Sequence, residues 1–337
     1  MRRGSIVQLI AIGVVIGAGA TLVALLIPWL PPDASEERNG IDLVFWFTTA
    51  IAIAIFSLVA AVIIYSILKF RARPDDDSDG APIHGHTGLE IVWTAVPAIL
   101  VTAISVMSGI VLVQNDHAAS NALNVNVTAR QFFWTFTYPK QGNLTSAQLR
   151  LPVGRSVVLH LQALDVIHSF WVPEFGQKED AVPGQNTSLV ITPTKVGTYP
   201  VICTELCGLG HALMRTSAIV MQPADFDAWV HQEQQALKGP PGNAGQAVFA
   251  SNGCSSCHTL KAAGATGTAG PDLDKLPDYA KQAGKPLPDF IKESIVDPNA
   301  YVQPGFPKGL MPSTFASLPA AQIDALVQFL IQSSQGG

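Results

Sequence analysis

Three uncharged, apolar stretches in the first third of the chain restrict its fold more than any other feature. They run from Ile6 to Leu30, from Leu43 to Leu68 and from Ile91 to Val113. An α-helix of about 20 apolar residues is long enough to cross the hydrocarbon core of a bilayer. We therefore predict that residues 1–115 form membrane-spanning helices at 6–30, 43–68 and 91–113.

The distribution of positive charge predicts the orientation of these helices. Arg2 and Arg3 precede the first stretch, and Lys69, Arg71 and Arg73 follow the second. Because lysine and arginine accumulate in cytoplasmic segments, the N-terminus and the loop after the second span should lie in the cytoplasm. The chain that follows the third span is then expected outside.

The first stretch also has features of a secretory signal peptide, in which basic residues precede an apolar run that is later removed. It is longer than the apolar region of an ordinary signal peptide, and no small-x-small cleavage motif follows Trp29. Gly13 and Gly17 are spaced to contact a neighbouring membrane helix through their small surfaces. We favour a retained span, with a cleaved signal peptide as the alternative.

Beyond about Ala122, apolar residues alternate with polar ones. Segments with this two-residue period are 123–127, 157–161, 189–191, 199–201 and 217–221, and Pro, Gly or Asn residues separate them. Short strands at this spacing predict an all-β, antiparallel sandwich or barrel for residues 116–237. Its last part carries Phe226, Trp229 and Val230 at the spacing of a short amphipathic helix.

A second, smaller domain is predicted at the C-terminus. Gly239-Pro240-Pro241-Gly242 breaks all periodicity and predicts a linker at 238–243. Residues 244–337 are then expected to form a small all-α domain, with helices at 289–296 and around 323–330. A domain of this size is marginally stable unless a staple or a cofactor supports it.

Cys203, Cys207, His211 and Met214 form a set of soft ligands in segment 203–214. Thiolate and thioether groups select copper, zinc or iron–sulfur clusters, and imidazole also suits copper, zinc or iron. Zinc ordinarily takes four Cys or His ligands and has no need of a methionine at a fixed offset. The set therefore favours a pair of copper ions bridged by both thiolates, over disulfide pairing of the chain's four cysteines.

Such a copper pair needs a second imidazole, and Asp165-Val166-Ile167-His168-Ser169 offers His168. Considered alone, His168 fits a hydrogen-bonded core histidine better than a metal ligand. Its setting decides between the two, because the region closely resembles subunit II of cytochrome c oxidases, which carries the binuclear copper centre CuA. The family's Cys-x-Glu-x-Cys-x3-His-x2-Met motif, preceded by an Asp-x-x-His-Ser strand end, is present without a gap.

The resemblance covers roughly Ile41 to Leu237 and implies a cupredoxin-like sandwich together with a complete copper site. It implies that Cys203 and Cys207 bridge the coppers, that His168 and His211 are terminal ligands, that Met214 is a weak axial ligand, and that Glu205 binds copper through its carbonyl and shares a Mg²⁺ with subunit I.

Two further segments resemble the same family. Glu90-Ile91-Val92-Trp93-Thr94 matches the segment in which a glutamate stands at the cytoplasmic mouth of a proton channel into subunit I. The resemblance thus implies a role for Glu90 in proton uptake. The alternative is a solvated carboxylate at a helix N-terminus, which the helix dipole favours.

The second segment is the strand Gln131 to Tyr138, whose alternate aromatic residues predict a buried face. In the family its first Trp receives electrons from a soluble cytochrome c, and here that position is Phe132, followed by Trp134. The acidic residues that mitochondrial-type enzymes have just beyond this strand are replaced by Pro139-Lys140-Gln141. These departures weaken the case for docking of a separate cytochrome.

Cys254-Ser255-Ser256-Cys257-His258 is the attachment signature of a c-type haem. Cys254 and Cys257 would bind haem covalently, and His258 would be the proximal iron ligand. Methionine is the usual distal ligand of an electron carrier, and Met311 is the one methionine downstream. The segment resembles class I cytochromes c.

Taken together, these motifs predict subunit II of a haem–copper cytochrome c oxidase, a terminal oxidase and translocase. The chain would accept electrons through haem c and pass them by way of CuA to subunit I, which reduces O2 to water coupled to proton translocation. By itself it would not perform the O2 chemistry. The alternatives are a CuA-containing subunit of a nitric oxide reductase, and a membrane copper chaperone or redox sensor.

The expected partners are subunit I, subunit III and an upstream donor such as a cytochrome c or cytochrome bc complex. The expected location is the plasma membrane of a bacterium, with the copper and haem domains on the periplasmic side. The net charge is −5, and the chain has no basic stripe, so we expect no nucleic-acid partner.

Overall fold

The first part of the chain forms three long apolar helices, as predicted. The computed structural model describes residues 3–71, 82, 84–237 and 241–335. The helices are α1 (Arg3–Leu26), α2 (Glu37–Phe70) and α3 (Thr87–Asn115), and each is long and apolar enough to cross a membrane. The predictions for Arg2, Arg73 and linker residues 238–240 fall outside the described residues.

Small residues bring α1 and α2 together. A Cβ atom added to Gly17 would lie 3.2 Å from Ser57 Oγ, and one added to Gly13 would lie 3.6 Å from Ala61 Cβ. The predicted small-residue contact of the first span therefore exists, and its partner is α2. Most other large side chains of α1, α2 and α3 are apolar and exposed, which suits contact with lipid or with another membrane subunit.

The middle of the chain forms two five-stranded sheets, hereafter the sandwich domain (115–237). The strands are β1 (Leu123–Arg130), β2 (Phe133–Tyr138), β3 (Leu144–Ser146), β4 (Leu149–Pro152), β5 (Val157–Ala163), β6 (His168–Trp171), β7 (Lys178–Ala181), β8 (Thr187–Ile191), β9 (Gly197–Cys203) and β10 (Arg215–Met221). One sheet has the order β3-β2-β1-β5-β8 and the other has the order β4-β10-β9-β6-β7.

The prediction of a purely antiparallel sandwich is wrong for two strand pairs. β1 pairs with β5 in parallel, and β10 pairs with β4 in parallel, whereas the other pairs in both sheets are antiparallel. A period of two residues reports that one face of a strand is buried, but it carries no information on strand direction. The sandwich itself follows from the alternation, since the inward residues of both sheets form one core.

A short helix closes one side of this core. Helix α4 (Pro223–Leu237) buries Phe226, Trp229 and Val230, the three residues that predicted it. The ring of Trp229 lies 5.2 Å from that of Tyr138, which ends β2. The aromatic face of β2 is therefore covered by α4 at one end of the strand.

Residues 33–38 pack with the sandwich domain, although their position between two spans assigned them to the membrane segment. Ser35 forms a β-bridge with Pro193, and the guanidinium of Arg38, which is 2% exposed, donates a 2.7 Å hydrogen bond to the carbonyl of Pro173. The loop between α1 and α2 must consequently lie on the same side of the membrane as the sandwich domain.

The C-terminal part, hereafter the helical domain (241–335), contains α5 (Pro241–Ser251), α6 (Leu276–Gln282), α7 (Leu287–Val296) and α8 (Ala320–Gln335), with a small hairpin of β11 (Thr259–Leu260) and β12 (Ala265–Thr266). Helices α7 and α8 were predicted, and α8 buries Ile323, Leu326 and Leu330. Helices α5 and α6 were not. At Gly245 the backbone of α5 approaches α8 so closely that a Cβ atom would overlap the Ala325 carbonyl.

Candidate metal centres

The predicted copper ligands come from two neighbouring strand ends and the loop that follows. His168 begins β6 and Cys203 ends β9, and these two strands pair with each other. His168 Nδ1 lies 3.9 Å from Cys203 Sγ, and the two thiol sulfurs of Cys203 and Cys207 lie 4.0 Å apart. His211 Nδ1 lies 3.6 Å from Cys207 Sγ on the far side of the pair.

The other two predicted ligands lie in the same place. The Met214 sulfur is 3.9 Å from Cys207 Sγ, and the Met214 side chain is fully buried. The carbonyl oxygen of Glu205 is 3.3 Å from Cys203 Sγ, whereas the Glu205 residue as a whole is exposed. The structure thus gathers the six residues proposed from the motif around the two sulfurs.

The electrostatic environment of the two thiols favours a cationic group between them. Burial raises the pKa of Cys203, but contacts with His168 and with backbone groups outweigh it and bring the pKa to about 7. Burial and the neighbouring Cys203 raise the pKa of Cys207 to about 12. An ionised Cys203 therefore disfavours ionisation of Cys207, and both thiols can be ionised together when cations lie between them. The free thiols, imidazoles and thioether fit copper.

Asp165 and Gln131 support this cluster, and the sequence analysis gave neither of them a role. Asp165 Oδ1 is 2.8 Å from His168 Nε2, which leaves Nδ1 directed towards Cys203. Burial lowers the pKa of His168, but the hydrogen bonds and charge interactions with Asp165 and Cys203 together outweigh it, and the net shift is upward. Gln131 donates from its backbone nitrogen to Asp165 Oδ2 at 2.7 Å and from its side chain to the Cys207 carbonyl at 2.5 Å.

The predicted haem residues line one apolar cavity in the helical domain. Cys254, Cys257 and His258 lie on its wall, and so does Met311, which is 53 residues downstream of His258 by residue number. His258 Nδ1 is 2.8 Å from the Pro271 carbonyl, so its Nε2 is the nitrogen left for a ligand. Burial lowers the pKa of His258, which keeps the ring neutral as iron ligation requires.

The backbone around His258 leaves no room for a side chain at Gly270. A Cβ atom there would lie 2.6 Å from His258 Cε1. The glycine therefore lets the chain pass directly behind the imidazole and fixes the ring against it. An apolar cavity with two thiols, one fixed imidazole and one thioether on its wall fits a covalently attached haem.

The aromatic strand β2 and the residue before it lie between the two clusters. Phe132 lines the cavity that contains the predicted haem residues, hereafter the haem cavity. It also packs on the segment 203–214, hereafter the copper loop, where a Cβ atom added to Gly208 would lie 3.3 Å from the Phe132 ring. A Cβ atom at Gly210 would overlap the same ring. Trp134 is 1% exposed, and its ring lies 6.1 Å from that of His168.

Glu90 lies in the first turn of α3 and is exposed. Its Oε1 accepts a 3.2 Å hydrogen bond from the backbone nitrogen of His86. The helix dipole favours a carboxylate at this end of α3, and the role of Glu90 in proton uptake stays a prediction.

Family profiles match three parts of the chain. Residues 20–111 match the transmembrane domain of cytochrome c oxidase subunit II, residues 144–222 match its periplasmic domain, and residues 243–334 match cytochrome c.

Among curated relatives, cytochrome c oxidase subunit 2 of Thermostichus vulcanus is 36% identical over 63% of this chain and 80% of its own length. The subunit 2 of Synechocystis is 34% identical over 67% and 82%. That of Alkalihalophilus pseudofirmus is 34% identical over 76% and 79%. The chain therefore belongs to the cytochrome c oxidase subunit II family, and it carries a cytochrome c domain at its C-terminus.

Proposed function

We propose that this chain is the electron-transferring subunit II of a proton-translocating oxidase, with a binuclear CuA centre in the sandwich domain and haem c in the helical domain. The observation that carries the proposal is the position of Phe132, which packs on the copper loop and also lines the cavity that holds Cys254, Cys257, His258 and Met311. Both clusters belong to one compact unit of the chain.

Membership of the family has several general consequences that do not depend on the proposal. The subunit II domain implies copper, and the cytochrome c domain implies haem c. The three apolar helices and the matched transmembrane domain make the chain a membrane protein. A subunit II is part of an oxidase complex and associates with the haem–copper subunit I.

For the copper site, Cys203 and Cys207 would bridge two ions, and a sulfur separation of 4.0 Å is compatible with that role. His168 and His211 would each bind one ion through Nδ1, with Met214 and the Glu205 carbonyl as weaker ligands. When bound, the copper pair and the haem supply one-electron carriers of small structural rearrangement. The side chains named for each site would hold these groups in place and keep water away from them.

The copper loop also carries the side chains that would face subunit I. Leu206 is 79% exposed and Leu209 is 68% exposed, although both are large and apolar. Exposed leucines beside a buried metal site suit burial against a partner subunit. Glu205 lies next to Leu206 with its side chain exposed, so it would reach this partner and share a Mg²⁺ with it.

In the haem site, Cys254 and Cys257 would form the thioether bonds, and His258 and Met311 would bind the iron. Phe132 would then be in contact with both cofactor sites, and Trp134 packs against His168. Glu90 would take up protons at the cytoplasmic end of α3. The sandwich and helical domains would lie on the periplasmic side, and subunit III and an outside donor would complete the system.

Truncation of the chain after Lys238 in the assembled oxidase tests this proposal. The copper spectrum should stay unchanged, whereas oxidation of the outside donor at low concentration should fall sharply. In the full-length complex, electron transfer between the two sites should be first-order and nearly independent of salt, because a tether keeps the helical domain at roughly millimolar effective concentration. A truncated complex that oxidises the donor as fast would contradict the proposal.

The same complex also separates the oxidase from the nitric oxide reductase considered above. Purified full-length enzyme is given O2 or nitric oxide with the same reduced donor. We expect consumption of O2, with the helical domain required. Turnover of nitric oxide alone would show that the copper and haem assignments hold in a different enzyme.

A further inference from the structure

Part of the wall of the haem cavity comes from the sandwich domain. Phe132, Phe133 and Leu213 line it together with residues of the helical domain. The two domains contribute residues to each other's apolar cores. Phe133 of the sandwich domain belongs to the core of the helical domain, and Leu310 of the helical domain packs on the core of the sandwich domain. Each domain therefore completes its neighbour's apolar interior.

Two of the residues in this contact, Leu213 and Leu310, are chain neighbours of predicted methionine ligands. Leu213 precedes Met214, the predicted copper ligand, and Leu310 precedes Met311, the predicted haem ligand. The loops that would bind the two cofactors are thus in the contact itself. Leu213 is 45% exposed, so its side chain is shared between the cavity wall and solvent.

Phe133 makes the most intimate contact between the domains. Its ring stacks on that of Phe315 with centroids 5.5 Å apart and an interplanar angle of 16°. Gly253 also approaches this ring so closely that a Cβ atom would lie 2.9 Å from Phe133 Cδ2. The φ angle of Gly253 is +69°, in the left-handed region that favours glycine, so this position is suited to the contact in two ways.

A hydrogen bond between the two domains lies close in sequence to the contact of Phe133 with Gly253. Thr135 Oγ1 donates a 3.1 Å hydrogen bond to the carbonyl of Ser251, at the C-terminal end of α5. That carbonyl belongs to the last turn of the helix, where backbone acceptors have no partner within the helix. The chain then runs through Gly253 to Cys254, so the contact leads directly into the haem-attachment motif.

We propose that the sandwich domain completes the haem pocket, with Phe133 and Leu213 shielding one side of the bound haem from water and from small soluble reagents. This inference rests on the proposed haem c site and extends it to residues of the other domain. An apolar wall disfavours the more highly charged oxidised haem, and solvent exposure is one of the factors that set a haem potential. The sandwich domain therefore raises the potential of the haem and slows direct reaction with solutes.

The test compares Phe133→Ala with Phe133→Leu in the full-length oxidase complex, with Val196→Ala as the control. Val196 is an apolar residue of the sandwich domain that is 53% exposed and lies outside the cavity wall. The haem midpoint potential is measured by spectroelectrochemical titration. The bimolecular rate of haem reduction by a small hydrophilic complex, hexaammineruthenium(II), is measured by stopped flow.

In Phe133→Ala we expect a lower potential and a reduction rate several-fold higher, with Phe133→Leu between this variant and the control. Copper and haem spectra verify that both sites are assembled. If Phe133→Ala fails to assemble, Leu213→Ala supplies the same two measurements without removing a buried ring. Equal potential and equal rate in the assembled alanine variant and in Val196→Ala would overturn the shared pocket.

That negative result is distinguishable from failure of the proposed function. A pocket formed by the helical domain alone would leave both readouts unchanged, while truncation after Lys238 would still reduce oxidation of the donor. Conversely, a truncated complex with full activity would refute the electron route, whether or not Phe133 affects the haem potential.

Discussion

Replacing Asp165 with asparagine removes one of two acceptor oxygens beside the copper cluster while it preserves size and shape. Asp165 Oδ1 accepts from the Val166 backbone at 2.7 Å and lies 2.8 Å from His168 Nε2. Its Oδ2 accepts from the Gln131 backbone at 2.7 Å. Asparagine has a single acceptor oxygen, so either His168 or Gln131 must lose its partner.

The expected magnitude follows from this loss. The Asp165 side chain is 12% exposed and that of His168 is 0% exposed, so water can replace the missing oxygen only in part. An unsatisfied buried donor costs about 1–3 kcal/mol. Changes to groups that orient a metal-bound histidine lower metal affinity roughly 10- to 100-fold, which corresponds to about 1.4–2.8 kcal/mol. The two estimates agree.

Copper affinity is measured by competition with a chelator, followed through the absorbance of the copper site. Asp227→Asn is the matched control, because Asp227 is exposed on α4. We expect a roughly 10- to 100-fold loss for Asp165→Asn and none for the control. Equal affinity in the two variants would refute the reasoning that Asp165 holds His168 for its ligand role.

Three other substitutions test the remaining site assignments. Cys203→Ser should abolish the binuclear copper signal and leave the haem spectrum intact, and loss of both spectra would contradict independent sites. Met311→Ala should open one axial position and lower the haem potential, as a redox titration would report. Glu90→Gln should slow steady-state O2 consumption while reduction of copper and haem by the donor stays fast, and an unchanged rate would leave Glu90 as a helix cap.

The copper cluster could be anticipated from sequence because most of its ligands are local. Cys203, Cys207, His211 and Met214 lie in one loop, so their offsets survive as a readable motif. His168 lies 35 residues before Cys203 and joins the cluster only because β6 pairs with β9. Sequence spacing alone could not assign His168 to the copper cluster, and the assignment came from the family resemblance.

Contacts between domains could not be anticipated in the same way. The alternation in residues 131–138 predicted a buried aromatic face, and Phe132, Trp134, Phe136 and Tyr138 are all buried. It assigned Phe133 to the other face, yet Phe133 is 6% exposed because the helical domain covers it. Periodicity within a strand reports its own sheet and contains no information on a domain that begins more than one hundred residues later.

The packing also explains how the two domains can meet without a strongly charged interface. Among the described residues, the contacts between the two domains include aromatic rings, leucines, a glycine and one threonine hydroxyl. The relative orientation of the domains is set by shape instead of charge. Gly253 admits the Phe133 ring at a distance that any larger residue would prevent, and Cys254 immediately follows Gly253 in the sequence. The residue that permits docking is therefore covalently next to the residue that would bind haem. A change in docking at Gly253 should therefore also move the haem-attachment motif relative to the sandwich domain.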